Sequence, residues 1–209
     1  MTLTNLKISV RLALGFAIVL ALSVIIGAFS INRIAVVNEA TKDVATNWLV
    51  ATRALSAYHA AISDIRRAEA LHAMANKEEQ FAQAEKRIAD DREKAAKALR
   101  EYAATVSTAE ERPYLEAIQA AEQHYFAAQP ELLKVSRASD GVNDALRDAY
   151  NGTTAKSLNE LLTAVEKDIE FQKVGADHSY QISQDVYAST RIAVIVLLIV
   201  SVAIGALLA

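Results

Sequence analysis

Two long stretches without a single charged side chain bracket the rest of this sequence, and they decide what it can fold into. Residues 12–31 are twenty positions built almost wholly from Ala, Leu, Ile, Val, Phe and Gly. As a helix rising 1.5 Å per residue they reach roughly 30 Å, the hydrocarbon thickness of one bilayer. Residues 192–209 are eighteen more charge-free positions, just inside the length range of a spanning helix. Composition alone, 53% hydrophobic and 22% charged, fits either a soluble helical protein or a membrane protein with a large polar domain. The distribution selects the second.

Lys7 and Arg11 precede the first run and no acidic residue does, so the positive-inside rule keeps the tail, residues 1–11, in the cytoplasm and puts residues 32–191 outside. A cleaved signal peptide would have an apolar core of about 7–15 residues and a small-x-small cleavage site. Here the run is longer, and Ser30-Ile31-Asn32-Arg33 offers no such site, so an uncleaved anchor is expected. The predicted organisation is a cytoplasmic tail at 1–11, a membrane helix at 12–31, one domain at 32–191 and a second membrane helix at 192–209, in or at the end of which the chain stops.

The 160 residues between the runs can enclose one real core. They carry 20 Lys plus Arg and 25 Asp plus Glu with the signs interspersed, which gives no reason to expect a nucleic-acid partner. No cysteine occurs, so an external domain must hold together by packing alone, as suits a bacterial periplasm.

Two prolines, three glycines and abundant Ala, Glu, Gln, Lys and Leu in this segment predict helix along nearly its whole length, with no strand. Breakers mark the joints: Ala75-Asn76-Lys77, residues 105–112 before Pro113, and Asn151-Gly152-Thr153-Thr154. The first helix shows Ile34, Val37, Thr41, Val44, Trp48, Ala51, Leu55, Tyr58, Ile62 and Ile65 at alternating spacings of three and four, an uninterrupted bundle seam continuous with the first apolar run. The second repeats the device with Phe81, Ile88, Ala95, Leu99, Tyr102 and Val106, while Glu85-Lys86-Arg87 and Asp90-Asp91-Arg92 are expected to face water. The third opens near Thr108, where Thr108 and Glu111 have capping-box spacing, with Pro113 in its first turn. Its core face is Tyr114, Ile118, Ala121, Tyr125, Leu132 and Val135, and Pro130 should kink it without ending it. A short helix between Asp140 and Tyr150 precedes the fourth, whose stripe is Leu158, Leu162, Val165 and Ile169 and which runs without proline into the second apolar run. The fold predicted is all-α: an antiparallel up-down four-helix bundle flanked by two transmembrane helices.

This order of parts resembles the N-terminal half of a methyl-accepting chemotaxis receptor of the four-helix-bundle class. The likeness covers the whole chain. Its carriers are the opening Leu6-Lys7-Ile8-Ser9-Val10-Arg11-Leu12-Ala13-Leu14-Gly15-Phe16 and the segment Asp64-Ile65-Arg66-Arg67-Ala68-Glu69. The resemblance implies a homodimer in the inner membrane, a periplasmic site for a small solute, and a signal passed down the fourth helix to cytoplasmic partners. Those partners would be met only through a C-terminal region absent from these residues, so the sequence is expected to be a fragment or truncated product of a longer receptor.

The resemblance also implies site residues: arginines far along the first helix and polar groups at the start of the fourth, holding a carboxylate across the dimer interface. Arg66 and Arg67 match the first group. Adjacent residues on a helix point about 100 degrees apart, so one could face its own subunit and the other the partner, each offering a carboxylate two parallel hydrogen bonds. Against this stands pairing with Asp64 and Glu69. Asn151, Thr153 and Thr154 match the second group, where a helix N-terminus favours an anion unless they form only an ordinary cap. Arg137, Arg147 and Tyr150 could complete a pocket for a di- or tricarboxylate, while Trp48 and Tyr58 read as core or dimer contacts.

His59, His72, His124 and His178 show no pair at helical ligand spacing, so no metal is expected. No nucleophile elbow, phosphate-binding glycine loop or zinc motif appears, so neither an enzyme nor a cofactor is expected. Ser23, Gly27, Ser201 and Gly205 in the apolar runs would permit close helix contact. The function expected is a sensor region that binds an organic acid or amino acid outside and signals across the membrane. Two rivals stay open: the sensor of a histidine kinase or cyclic-dinucleotide enzyme, and a membrane-anchored helical scaffold with no small ligand.

Overall fold

The computed structural model describes residues 8–208, so the first seven residues of the tail, with the start of the opening motif, lie outside the described residues. Six α-helices and one π-helical stretch account for the architecture: α1 (Ile8–Asp43), the π stretch Val44–Trp48, α2 (Leu49–Ala73), α3 (Glu78–Ala103), α4 (Arg112–Ala138), α5 (Asp144–Asn151) and α6 (Thr153–Leu208). The fold is all-helical among the described residues, as the sequence predicts. The chain divides into two compact units. One comprises residues 45–176, and the other the helical segments 8–44 and 177–208.

Within residues 45–176, α2, α3, α4 and the first part of α6 form a four-helix bundle. Its up-down order is visible in which residues meet. Tyr58, Glu69 and His72 of α2 bond Glu122, Tyr125 and Ser136 of α4 in ascending order, so those helices run parallel. Arg137 at the end of α4 bonds Glu78 and Glu85 at the start of α3, and Gln172 of α6 bonds Glu111, just before α4. Helices α3 and α6 therefore run opposite to the other two.

The core is the seam that the heptad pattern predicts. Ala51, Leu55, Tyr58, Ile62 and Ile65 are buried against Ile88, Ala95, Leu99 and Tyr102, and against Ile118, Tyr125, Leu158 and Val165. Leu161 is also fully buried, one helical step beside the predicted stripe. At about 25 cal/mol per Å² of apolar surface removed from water, such a seam and not intrinsic propensity holds the helices together.

Three local features depart from the sequence expectations. The first helix is not uninterrupted, because the π stretch Val44–Trp48 separates α1 from α2. Its Thr46 and Asn47 are weak helix formers, and on either side the Thr41 and Thr52 hydroxyls donate to the carbonyls of Val37 and Trp48 at 2.8 Å, local bonds that loosen the helical ladder. Second, α4 opens at Arg112 and not near Thr108. Thr108 Oγ1 accepts from Glu111 N at 3.2 Å, and the Glu111 carboxylate accepts from Ser107 N, so the predicted capping residues organise the preceding turn. Third, the acidic and basic clusters of α3 are not wholly solvated. Asp91 is buried and accepts from Lys94, and the Arg92 guanidinium lies 3.9 Å from the Phe126 ring centre.

Helix α4 continues through Pro130. It ends before Gly141, whose φ of +76° is a conformation only glycine takes freely. The chain then enters α5 with Asn143 as N-cap, its side chain accepting from Leu146 N at 2.9 Å. Gly152 joins α5 to α6. A Cβ there would sit 2.4 Å from the Asp148 carbonyl oxygen, so the joint admits only glycine in this conformation.

In the second unit α1 and the last part of α6 carry the two apolar runs. Both are long and apolar enough to cross a membrane, and side chains such as Phe16, Val24, Ile199 and Val202 are exposed, as two long apolar helices flanking a membrane-anchored bundle would be. The helices approach closely where Gly205 faces Val19, and the Ser179 hydroxyl donates to Asp43 at 3.0 Å.

Candidate functional site

The structure gathers some of the predicted site residues and separates others. Arg66 lies on α2 with its side chain only 16% exposed. Its Nη1 donates to Glu69 Oε2 at 2.9 Å and its Nη2 to the Tyr150 carbonyl at 2.7 Å, while its guanidinium stacks 3.4 Å from the Tyr150 ring centre. Glu69, fully buried, also accepts from Tyr125 Oη at 2.9 Å and Gln129 Nε2 at 2.7 Å. Arg66 thus ties α5 to a buried carboxylate shared by α2 and α4. Arg67 points the other way, 70% exposed and paired with Asp64.

Arg137 is on another face. It grips Glu85 through Nε and Nη2 at 2.8 and 3.1 Å and Glu78 through Nη1 at 2.7 Å, and the first of these contacts holds the Glu85 carboxyl below the usual carboxylate range. Glu85 also meets buried His72, whose Nε2 is 3.1 Å away and whose Nδ1 is 2.8 Å from Ser136 Oγ. Because Glu85 can only accept, Nε2 donates. No sequence spacing pointed to this histidine. Its partners stand 13 and 64 positions away, and only its place on the buried face of α2 could have singled it out.

Two of the concave surfaces beside these networks meet at Asn151. The smaller, about 280 Å³, is an apolar recess between the end of α2 and α5, walled by Met74, Val142, Leu146 and Tyr150 with Arg147 and Asn151 among its lining. Arg147 is 64% exposed and among the described residues pairs only with Asp144, at 3.6 Å. The larger, about 850 Å³, follows α6 from Asn151 past Lys156, Asn159, Thr163 and Lys167, with Pro113 and Tyr114 of α4 on its far side. Among the described residues Lys156 and Lys167 have no ion-pair partner. Thr153 is exposed and Thr154 buried. Their carbonyls accept from the Ser157 hydroxyl. Among the described residues no group of three or more metal-ligating side chains comes together.

The opposite end of the bundle holds a second buried polar cluster. Gln172 Nε2 donates to Glu111 Oε1 at 2.9 Å and Asp168 Oδ1 at 3.1 Å. The Tyr102 hydroxyl lies beside Asp168, yet among the described residues it, the second Asp168 oxygen and the Gln172 amide oxygen have no hydrogen-bond partner. Burial pushes the Asp168 carboxyl above the usual range, opposed by the neighbouring Tyr102 hydroxyl and Gln172 amide and reinforced by Glu111.

A bundle of this order, with polar groups clustered at its two ends and long apolar helices before and after it in the sequence, matches over residues 5–187 the family model described as a four helix bundle sensory module for signal transduction. The chain belongs to this family. It is the sensory module of methyl-accepting chemotaxis proteins, as the opening residues and the segment around Arg66 suggested. Neither a curated protein nor a solved structure is detectably similar to it. The two concave surfaces are the candidate sites of this sensory module.

Proposed function

We propose that this module binds a small organic anion, an organic acid or an amino acid, on the outer side of a bacterial inner membrane and passes its occupancy across that membrane. The observation that carries this reading is the groove along α6. Its volume falls in the range of small-molecule sites, it presents two lysines without an ion-pair partner among the described residues beside one carboxylate, Glu160, and the helix that forms its wall runs unbroken to Leu208. An acid whose carboxylate meets Lys156 or Lys167 and whose body lies along the groove would hold this wall in one of two packings against α4, and a small shift of α6 is a sufficient signal.

The module acts by binding and not by catalysis, and it works as a homodimer whose second copy narrows the open groove. Arg66 and Arg137 then serve as struts, because their donors are already engaged within the chain, while Asn151 lines the groove and Arg147 the neighbouring recess. The test is a thermal unfolding screen of the full chain in nanodiscs against organic acids, amino acids and aromatic acids. A ligand at 100 times its Kd adds roughly 2.7 kcal/mol. Stabilisation that disappears in Lys156→Gln/Lys167→Gln and survives in Arg67→Ala supports the groove. Stabilisation lost only in Arg147→Ala would move the site to the recess, and none with any acid would favour the scaffold.

A further inference from the structure

The cleft that the sensory role leaves unused lies in the second unit, where the apolar runs begin. It has a volume of about 350 Å³ and is walled by Ile34 and Val37 of α1 and by Tyr187, Val194 and Ile195 of α6. Arg33 and Arg191 also line it. Arg33 is the second residue past the first charge-free run and Arg191 the last before the second, so both mark the boundary between apolar and polar chain.

Neither arginine has an acidic partner among the described residues, and the sequence explains why. The first acidic residue of the whole chain is Glu39, and none follows Asp185. Each arginine is thus six positions from the nearest carboxylate on its own helix, more than a helical turn away. The Arg33 guanidinium lies 5.3 Å from the Phe29 ring centre, a contact that leaves its hydrogen-bond donors free.

An occupant must therefore be apolar along its length and anionic at one end. A free anion would leave the aliphatic walls wet. A helix from a second copy would cover them, but it would bring the same two arginines and no acid to the same level, adding like charge where charge must be neutralised. A membrane phospholipid meets both needs, because its phosphate accepts from guanidinium in charge-assisted bonds and its acyl chain is as apolar as the cleft.

We propose that this cleft binds an anionic phospholipid, the phosphate bridging Arg33 and Arg191 and one acyl chain lying against Ile34, Val194 and Ile195. The proposal rests on the reading of the two apolar runs as membrane spans. A lipid held there clamps α1 to α6 at the level where a signal would leave the bundle, so lipid composition would set the ease with which the two helices move.

The test reconstitutes the full chain into vesicles of equal parts phosphatidylglycerol and phosphatidylcholine, extracts it into mild detergent, and counts retained lipids by native mass spectrometry. Phosphatidylglycerol should be retained in preference, and Arg33→Gln and Arg191→Gln should each weaken that preference by roughly fivefold, the effect of about 1 kcal/mol per basic residue at an anionic surface. Arg53→Gln, an exposed arginine of the bundle, should change nothing, and an excess of inorganic phosphate should leave the lipid in place. Equal retention of both lipids, an undiminished preference in the double variant, or displacement by inorganic phosphate overturns the proposal. Alkaline extraction separates the two readings. A chain released from the vesicles refutes the membrane spans and this site together, whereas a chain that stays inserted without lipid preference refutes this site alone.

Discussion

The two ends of the bundle bury similar groups and treat them differently. At the end where α2 turns into α3, Glu69 is surrounded by Arg66, Tyr125 and Gln129, and all three donate to it. At the end where α3 turns toward α4, Asp168 and Glu111 share one amide donor from Gln172; Glu111 takes a second bond from Ser107 N, whereas one Asp168 oxygen has none among the described residues, and no cation is among the groups that set the charge of Asp168. A buried carboxylate that is fully hydrogen-bonded and paired rigidifies its surroundings, whereas one that is partly satisfied stores a cost. One end is therefore locked and the other poised.

The largest test of that contrast is Glu69→Ala. It leaves a guanidinium, a phenol and an amide facing a cavity, and breaking a buried pair by removing one partner costs about 3–5 kcal/mol. Denaturant unfolding of the full chain in detergent should show a loss of that size, and a loss under about 1 kcal/mol, the level of an exposed pair, would mean the Arg66 end is not locked. Gly152→Ala strikes the same network from α5. Its Cβ meets the Asp148 carbonyl at 2.4 Å, so the joint that presents the Tyr150 carbonyl to Arg66 must shift, at a cost of about 1–3 kcal/mol. If the joint merely frays, hydrogen exchange will rise in α5 alone. If the lock is cooperative, exchange will rise in the facing turns of α2 and α4 as well.

Asp168→Asn addresses the other end, and its sign is opposite. Burial raises the folded-state pKa of Asp168 above its ordinary value of 3.8. Between that value and the higher folded one the native chain holds a proton that the unfolded chain has lost, so Asp168 makes stability fall as pH rises through this window and leaves a standing penalty above it. An asparagine keeps an acceptor for Gln172, adds donors for Glu111 or Tyr102, and carries no charge. Stability at neutral pH should rise by about 1–2 kcal/mol, the range of a relieved buried polar group, and the decline with pH should flatten. A loss of stability, or an unchanged pH profile, would show that this end is as well satisfied as the other.

What could be read from the sequence follows from how each feature is encoded. The seam from Ala51 to Ile65 and the faces of α3 and α4 repeat at helical spacing, and the joints at Asn76 and Gly152 are spelled by residue type, so the bundle was legible. The π stretch was not, because Val44 and Trp48 keep seam spacing while the disturbance comes from threonine hydroxyls bonding backward to the ladder. The candidate site was legible in part. Arg66, Tyr150 and Asn151 do converge, since all lie near one end of an up-down bundle, but periodicity cannot tell that Arg66 turns inward to Glu69 or that Arg137 closes on α3. The free cations of the groove, Lys156 and Lys167, are eleven residues apart on one helix. They gain meaning only once neither is seen to have an ion-pair partner among the described residues.

The smallest expected effect falls at the poised end and asks how much movement it tolerates. The one tryptophan of the chain, Trp48, meets Phe171 edge-on at 6.1 Å between ring centres, and Phe171 stacks on Tyr114 at 4.8 Å. Gly175 is what lets the indole lie flat against α6, because a Cβ there would come within 2.3 Å of its ring. In Gly175→Ala two effects oppose each other: alanine gains about 1 kcal/mol of helix propensity, and the displaced indole forfeits its contacts with α6 and Phe171. The net change in stability should be within about 1 kcal/mol, but tryptophan emission should shift to the red as the ring gains water. A tolerant end would show this spectral shift with nearly unchanged unfolding. If the substitution instead destabilises by as much as Glu69→Ala, the aromatic group at Trp48 is a second lock, and the contrast between the two ends of the bundle fails.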